Sequence, residues 1–129
     1  MPRYLFLFFV FVIGLTSCHD EIFETTSSTG DLIFSRDTVY LDTIFTNISS
    51  STRTFKVYNK SNNNIVVPSI RLGRGEDSFY RLNVNGESGK TFEEVQILAK
   101  DSVFVFVEAT VDFSKTANPL YLDSILFDE

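Results

Sequence analysis

One cysteine and one histidine in 129 residues remove several kinds of chemistry before any pattern is considered. A lone cysteine has no partner with which to close a disulfide within the chain. The single histidine, His19, lies near the amino terminus, outside the roughly hundred-residue stretch that reads as one folded domain. No serine or threonine of that domain therefore has a histidine base for nucleophilic catalysis. Basic residues are scarce as well: 11 Lys and Arg face 17 Asp and Glu, a formal charge of −6. An acidic chain without a basic stripe is a poor nucleic-acid binder, and that class of partner is set aside. There is no internal repeat and no useful stretch with helical periodicity. The longest apolar run, Leu5–Leu15, is too short to span a bilayer.

That run is the most informative segment present. Met1-Pro2-Arg3-Tyr4 supplies a short basic start, Leu5–Leu15 an apolar body, and Thr16-Ser17-Cys18 a small-residue junction. Together they read as an export signal. The chain then divides into a signal over residues 1–17, a tether over 18–30 rich in Ser and Thr, and a domain over 31–129.

Leu15-Thr16-Ser17-Cys18 resembles a bacterial lipobox. The resemblance implies cleavage before Cys18, whose thiol and new amino terminus would carry fatty acyl chains. Each buried methylene contributes about 0.8 kcal/mol, so two or three chains would anchor the protein permanently. The membrane is then a partner through the lipid, and the expected location is the cell envelope. Residue 19 is His, not the aspartate that retains some lipoproteins at the inner membrane, which points to the outer membrane. Asp20-Glu21 is similar to acidic tags that route lipoproteins to the cell surface, and reads equally as a solvated tether. Removing Arg3 with the signal lowers the basic count from 11 to 10 against 17 acidic residues, a charge of −7. An ordinary signal peptide or an uncleaved anchor is the competing reading of the same residues.

Downstream, apolar alternation recurs between polar turns, the period of half-buried strands. Strands are expected at Leu32–Phe34, Thr38–Thr46 (Val39, Leu41, Thr43 and Phe45 on one face), Arg53–Tyr58, Ile65–Leu72, Ser78–Asn83, Val95–Leu98, Val103–Val111 and within Leu120–Phe127. Pro68 argues for an edge position or a bulge. Asn59–Asn64 reads as a turn, with Asn tolerating positive φ or bonding its own backbone. Phe104 and Phe106 stand opposite the valines of the strongest strand, which suggests a central position. About seven short strands without helices predict an all-β fold, an antiparallel two-sheet sandwich.

Phe55-Lys56-Val57-Tyr58-Asn59-Lys60-Ser61-Asn62, with Ile65–Ile70 and the turn-plus-strand Leu98–Asp112, resembles the immunoglobulin-like module of the abnormal-spindle/hydin type. Val111-Asp112-Phe113-Ser114 departs from that module's proline-rich strand end. The whole is similar to the amino-terminal part of envelope lipoproteins that continue into a right-handed parallel β-helix. That resemblance implies an immunoglobulin-like sandwich lacking its last strand, in a chain truncated at its carboxyl end.

Chemistry-bearing motifs are few. Gly86-Glu87-Ser88-Gly89-Lys90-Thr91 ends like a phosphate-binding loop, but position 84 is Val and a strand follows, so no nucleotide is expected. The Gly73–Asp77 loop reads as solvated, not as a calcium site. Neither a metal nor a cofactor is implied, and no enzyme activity is expected. Asp37-Thr38, Asp42-Thr43, Asp101-Ser102 and Asp123-Ser124, each followed by an aliphatic residue, resemble an O-glycosylation sequon of exported bacterial proteins. Thr38, Thr43, Ser102 and Ser124 are the acceptors implied, while Asp-Ser/Thr is also ordinary turn chemistry at strand starts. The expected function is a non-catalytic, lipid-anchored spacer or interaction module with a protein or glycan partner. Two alternatives stand beside it. One is the anchor region of a larger carbohydrate-active or β-helix surface protein. The other is a glycan-binding module using Tyr80, Phe92, Phe113 or Tyr121.

Overall fold

The computed structural model describes residues 25–27, 32–45, 47–112, 114–116 and 118–128. The signal, Cys18, His19 and Phe113 lie outside the described residues. Nine strands follow in order: β1 (Thr25–Ser27), β2 (Leu32–Phe34), β3 (Arg53–Asn59), β4 (Asn64–Leu72), β5 (Tyr80–Val84), β6 (Glu87–Gly89), β7 (Thr91–Ile97), β8 (Ser102–Ala109) and β9 (Ile125–Asp128). They form an all-β sandwich. One sheet has the order β2-β3-β8-β5-β6. In the other, β4 pairs with β7 on one side and with both β1 and β9 on its other side. Every pairing is antiparallel except that of β1 with β4.

The core lies between the sheets and follows from side-chain alternation. Phe55 and Val57 of β3, Leu82 and Val84 of β5, and Val103, Val105 and Val107 of β8 point inward from the first sheet. Ile65, Val67, Ile70 and Leu72 of β4 meet them with Phe92, Val95 and Ile97 of β7. Each such side chain, fully buried, contributes about 1.5–3 kcal/mol.

Alternation breaks once in β4 and once in β7, at facing positions. Buried residues in β4 switch from odd numbers (Ile65, Val67) to even (Ile70, Leu72), and in β7 from Phe92 to Val95 and Ile97. Ladder partners hold the same register on both sides of the break, from Ile65↔Ile97 and Val67↔Val95 to Ser69↔Glu93 and Ile70↔Phe92. Glu94, at the skipped position opposite Pro68, has a left-handed backbone (φ 52°). The two strands therefore turn over together, which keeps apolar residues inward where strict alternation would expose half of them.

Pro68 thus sits on a central strand, not an edge. Its missing N–H is tolerated because the β7 ladder skips it, while β1 ends at Val66 and β9 begins at Ser69. Thr38–Thr46 is not a strand over its described residues. Val39 and Leu41 pack against the core, yet Tyr40 is 80% exposed and Phe45 72%. Alternation placed Val39 and Leu41 inward but failed for Thr43 and Phe45, which are exposed, because a strand also needs a neighbouring ladder. Leu120 and Leu122 are likewise outside strands and exposed. Thr25–Ser27, read from the sequence as spacer, is β1. Asn85 (φ 52°) and Gly86 (φ 87°), both left-handed, form the two-residue turn of a hairpin between β5 and β6, and β7 follows within two residues.

Candidate functional site

The side of the sandwich between β2 and β9 is open. A cleft of about 570 Å³ enters there between the sheets, lined by Phe34, Phe55, Leu72, Ile125 and Phe127 and rimmed by Arg36, Asp37, Thr38 and Ser124. Phe127 closes its floor, with ring centroids 4.8 Å from Phe34 and 6.4 Å from Phe55 in edge-to-face geometry.

One end of the cleft is held by Tyr121–Ser124, which straps the chain entering β9 onto the Gly73–Tyr80 turn. The Asp123 carboxylate accepts hydrogen bonds from the Ser78 hydroxyl (2.5 Å), the Ser124 N–H (2.8 Å) and the Arg74 N–H (3.1 Å). The Gly73 N–H donates to the Ser124 carbonyl at 2.7 Å. A Cβ on Gly73 would stand 3.1 Å from Asp123 Oδ1, so a side chain there would press on the carboxylate that holds the strap. The Tyr121 ring lies 4.6 Å from that of Phe79 and 5.4 Å from that of Tyr80, with the Arg74 guanidinium 4.8 Å from its centre. Tyr80 donates its hydroxyl proton to the Tyr121 carbonyl at 2.9 Å. Burial raises the Tyr80 phenol above its ordinary range, with Tyr121 and Asp123 adding to the rise and Arg74 opposing it. This arrangement fastens a strand. Its serine–carboxylate contact lacks a base relay, and among the described residues no group of three or more His, Cys, Asp or Glu could hold a metal ion.

The four hydroxyl residues fall in different places. Thr38 and Ser124 are exposed on the same cleft. Thr43 is exposed outside the strands, and its neighbour Asp42 pairs with Arg53. Ser102 is half-buried at the start of β8, at the opposite end of the sandwich. Asp101 accepts from the Ser102 N–H at 2.7 Å just as Asp123 does from Ser124, so turn chemistry uses both motifs.

Of the aromatic residues put forward for glycan binding, Phe92 belongs to the core, and Tyr80 and Tyr121 are half-buried in the strap. The exposed pair is Phe104 and Phe106, on the outer face of the five-stranded sheet. Their centroids are 6.2 Å apart at 24°, and the Lys56 ammonium stands 4.6 Å above the Phe104 ring. Thr52, Asn83, Ser88 and Glu108 surround Phe106 in a shallow depression of about 300 Å³. Apolar residues on both faces of β8 did signal its central place in the sheet, but one of those faces is open to solvent. No family model, characterised protein or solved structure matches the chain.

Proposed function

We propose that the chain is a lipid-anchored envelope protein in which a non-catalytic β-sandwich serves as spacer and interaction module. The observation that carries the reading is Leu15-Thr16-Ser17-Cys18, a lipobox-like junction after an apolar run, built on the chain's only cysteine. The position of β1 gives it dimensions. Seven residue steps separate Cys18 from Thr25, at most about 25 Å of extended chain. A sandwich on so short a leash stays close to the lipid surface and presents its open side to neighbours there. Its net negative charge leaves the lipid, not surface electrostatics, to hold it. Fractionation of cells producing the chain and its Cys18→Ala variant tests this. The parent is expected in the membrane fraction and the variant in the soluble envelope fraction. Identical distributions would contradict it.

A second reading, a glycan-binding face, is favoured by the stacked Phe104–Phe106 pair with Asn83, Ser88 and Glu108 beside it. An aromatic platform ringed by hydroxyl, amide and carboxylate groups suits the apolar face and hydroxyls of a sugar. A glycan-array signal lost in Phe104→Ala and Phe106→Ala is the expected result, and a signal unaffected by either removes this reading.

A further inference from the structure

We infer that Asn85–Gly86 is a site of non-enzymatic deamidation and that Asn83 is the brake on it, because the Asn83 side-chain oxygen holds the backbone N–H that must attack. Neither the lipid anchor nor a glycan face enters into it.

Asn85-Gly86 is the one Asn-Gly pair of the chain; every other asparagine precedes Ile, Lys, Asn, Val or Pro. Glycine has no side chain to hinder attack by its own nitrogen. The pair forms the exposed turn between β5 and β6, and a Cβ on Gly86 would meet nothing within 4 Å, so the turn is open to water. In the reaction the Gly86 nitrogen bonds to the side-chain carbonyl carbon of Asn85, and the bond from that carbon to Nδ2 breaks. Ammonia leaves, carrying the Gly86 amide proton, and a cyclic succinimide remains. Water then opens the ring at either carbonyl, which leaves aspartate or isoaspartate at position 85 and adds a negative charge.

The nucleophile is the Gly86 nitrogen once its proton is lost, and the fold restrains that loss. Val84 and Glu87 pair across the turn, so Gly86 stands outside the ladder, and its N–H donates to Asn83 Oδ1 at 3.1 Å. A hydrogen bond made by the neutral form of a group disfavours its ionised form. Asn83, half-buried, is itself held in orientation. Its Nδ2 donates to Ser88 Oγ at 3.2 Å, across the ladder pair Asn83↔Ser88, which leaves Oδ1 facing Gly86. Unfolding removes all of this. Of the two products, aspartate can keep the left-handed backbone of position 85 (φ 52°). Isoaspartate adds a backbone methylene to a two-residue turn and so works against the pairing of β6 with β5.

The test incubates the full chain and its Asn83→Ala and Asn83→Asp variants at mildly alkaline pH, both folded and in urea, and maps the mass gained at each asparagine by peptide. In urea all three are expected to convert at Asn85 ahead of every other asparagine, at similar rates. Folded, the parent is expected to be slow and Asn83→Ala about threefold to tenfold faster, the effect of one net hydrogen bond. Asn83→Asp keeps an acceptor for the Gly86 N–H and is expected to be no faster than the parent. Earlier conversion elsewhere in urea would remove the site. A folded Asn83→Ala no faster than the parent would remove the brake. So would an Asn83→Asp as fast as Asn83→Ala, since the cause would then be a loosened hairpin and not a lost acceptor.

Discussion

Asn59 shows how much one polar side chain can organise. It is 1% exposed at the end of β3, and its amide reaches the carbonyls of Asn63 (2.7 Å), Leu98 (3.0 Å) and Ile97 (3.1 Å). Its Oδ1 accepts from the Ser61 hydroxyl (2.7 Å) and N–H (3.0 Å). The side chain therefore ties the β3–β4 turn to the β7–β8 turn. Asn59→Leu leaves several buried carbonyls without donors, a loss of roughly 3 kcal/mol expected in urea unfolding. Asn59→Asp places a carboxylate against the same carbonyls, so that variant is expected to be less stable at neutral pH than in mild acid, where the protonated acid can donate.

Tyr80 works in the alkaline range. Its pKa is raised above the ordinary value of 10.0, chiefly by burial, so the fold favours the neutral phenol. The stability it contributes is complete below the unfolded-state pKa and is lost as pH rises through the higher folded-state value. The unfolding midpoint of the parent is expected to fall more steeply above pH 10 than that of Tyr80→Phe. Parallel curves would mean that Tyr80 does not titrate differently in the two states.

Among the elements, the paired break in β4 and β7 decides which residues form the core. Glu94 holds a left-handed backbone that costs an L-residue about 1–2 kcal/mol and a glycine almost nothing. Glu94→Gly is expected to keep or raise the thermal midpoint, and the β-branched Glu94→Val to lower it. An equal loss from both would show that the glutamate side chain, not the backbone, matters there.

The same elements show what was legible beforehand. Alternation located β2, β3, β4 and β8 closely, because each is an apolar-rich segment bounded by polar residues. It failed for Thr38–Thr46, where Val39 and Leu41 do face inward but no strand lies alongside. Of the two readings of Pro68, the edge position fails while the ladder does break at that residue, since nothing in a single strand's sequence tells where its two neighbours begin and end. Asn59 was visible as a turn residue that bonds its own backbone, as it does through the Ser61 N–H and the Asn63 carbonyl. The described asparagines of that turn keep negative φ, and the reach of Asn59 to carbonyls almost 40 residues away had no local signature. Asp123 was visible only as one of four Asp-hydroxyl pairs. Its bond to Ser78, 45 residues distant, had no local signature.

At the scale of the whole molecule, the two sides of the sandwich differ. One carries the β6–β7 connection and the exposed Glu93 and Glu94, and the other holds the apolar cleft between β2 and β9. β1 begins seven residues after Cys18, so the anchor proposed there would hold this body on a short tether. The anchor is the premise that most needs a direct reading. The intact mass of the protein extracted from its native envelope with detergent supplies it. A chain beginning at Cys18 and heavier than its sequence by two or three acyl groups is the expected result, with the excess mass on the amino-terminal peptide. A chain that retains residues 1–17, or begins at Cys18 or beyond without acyl mass, would contradict the lipid-anchored reading.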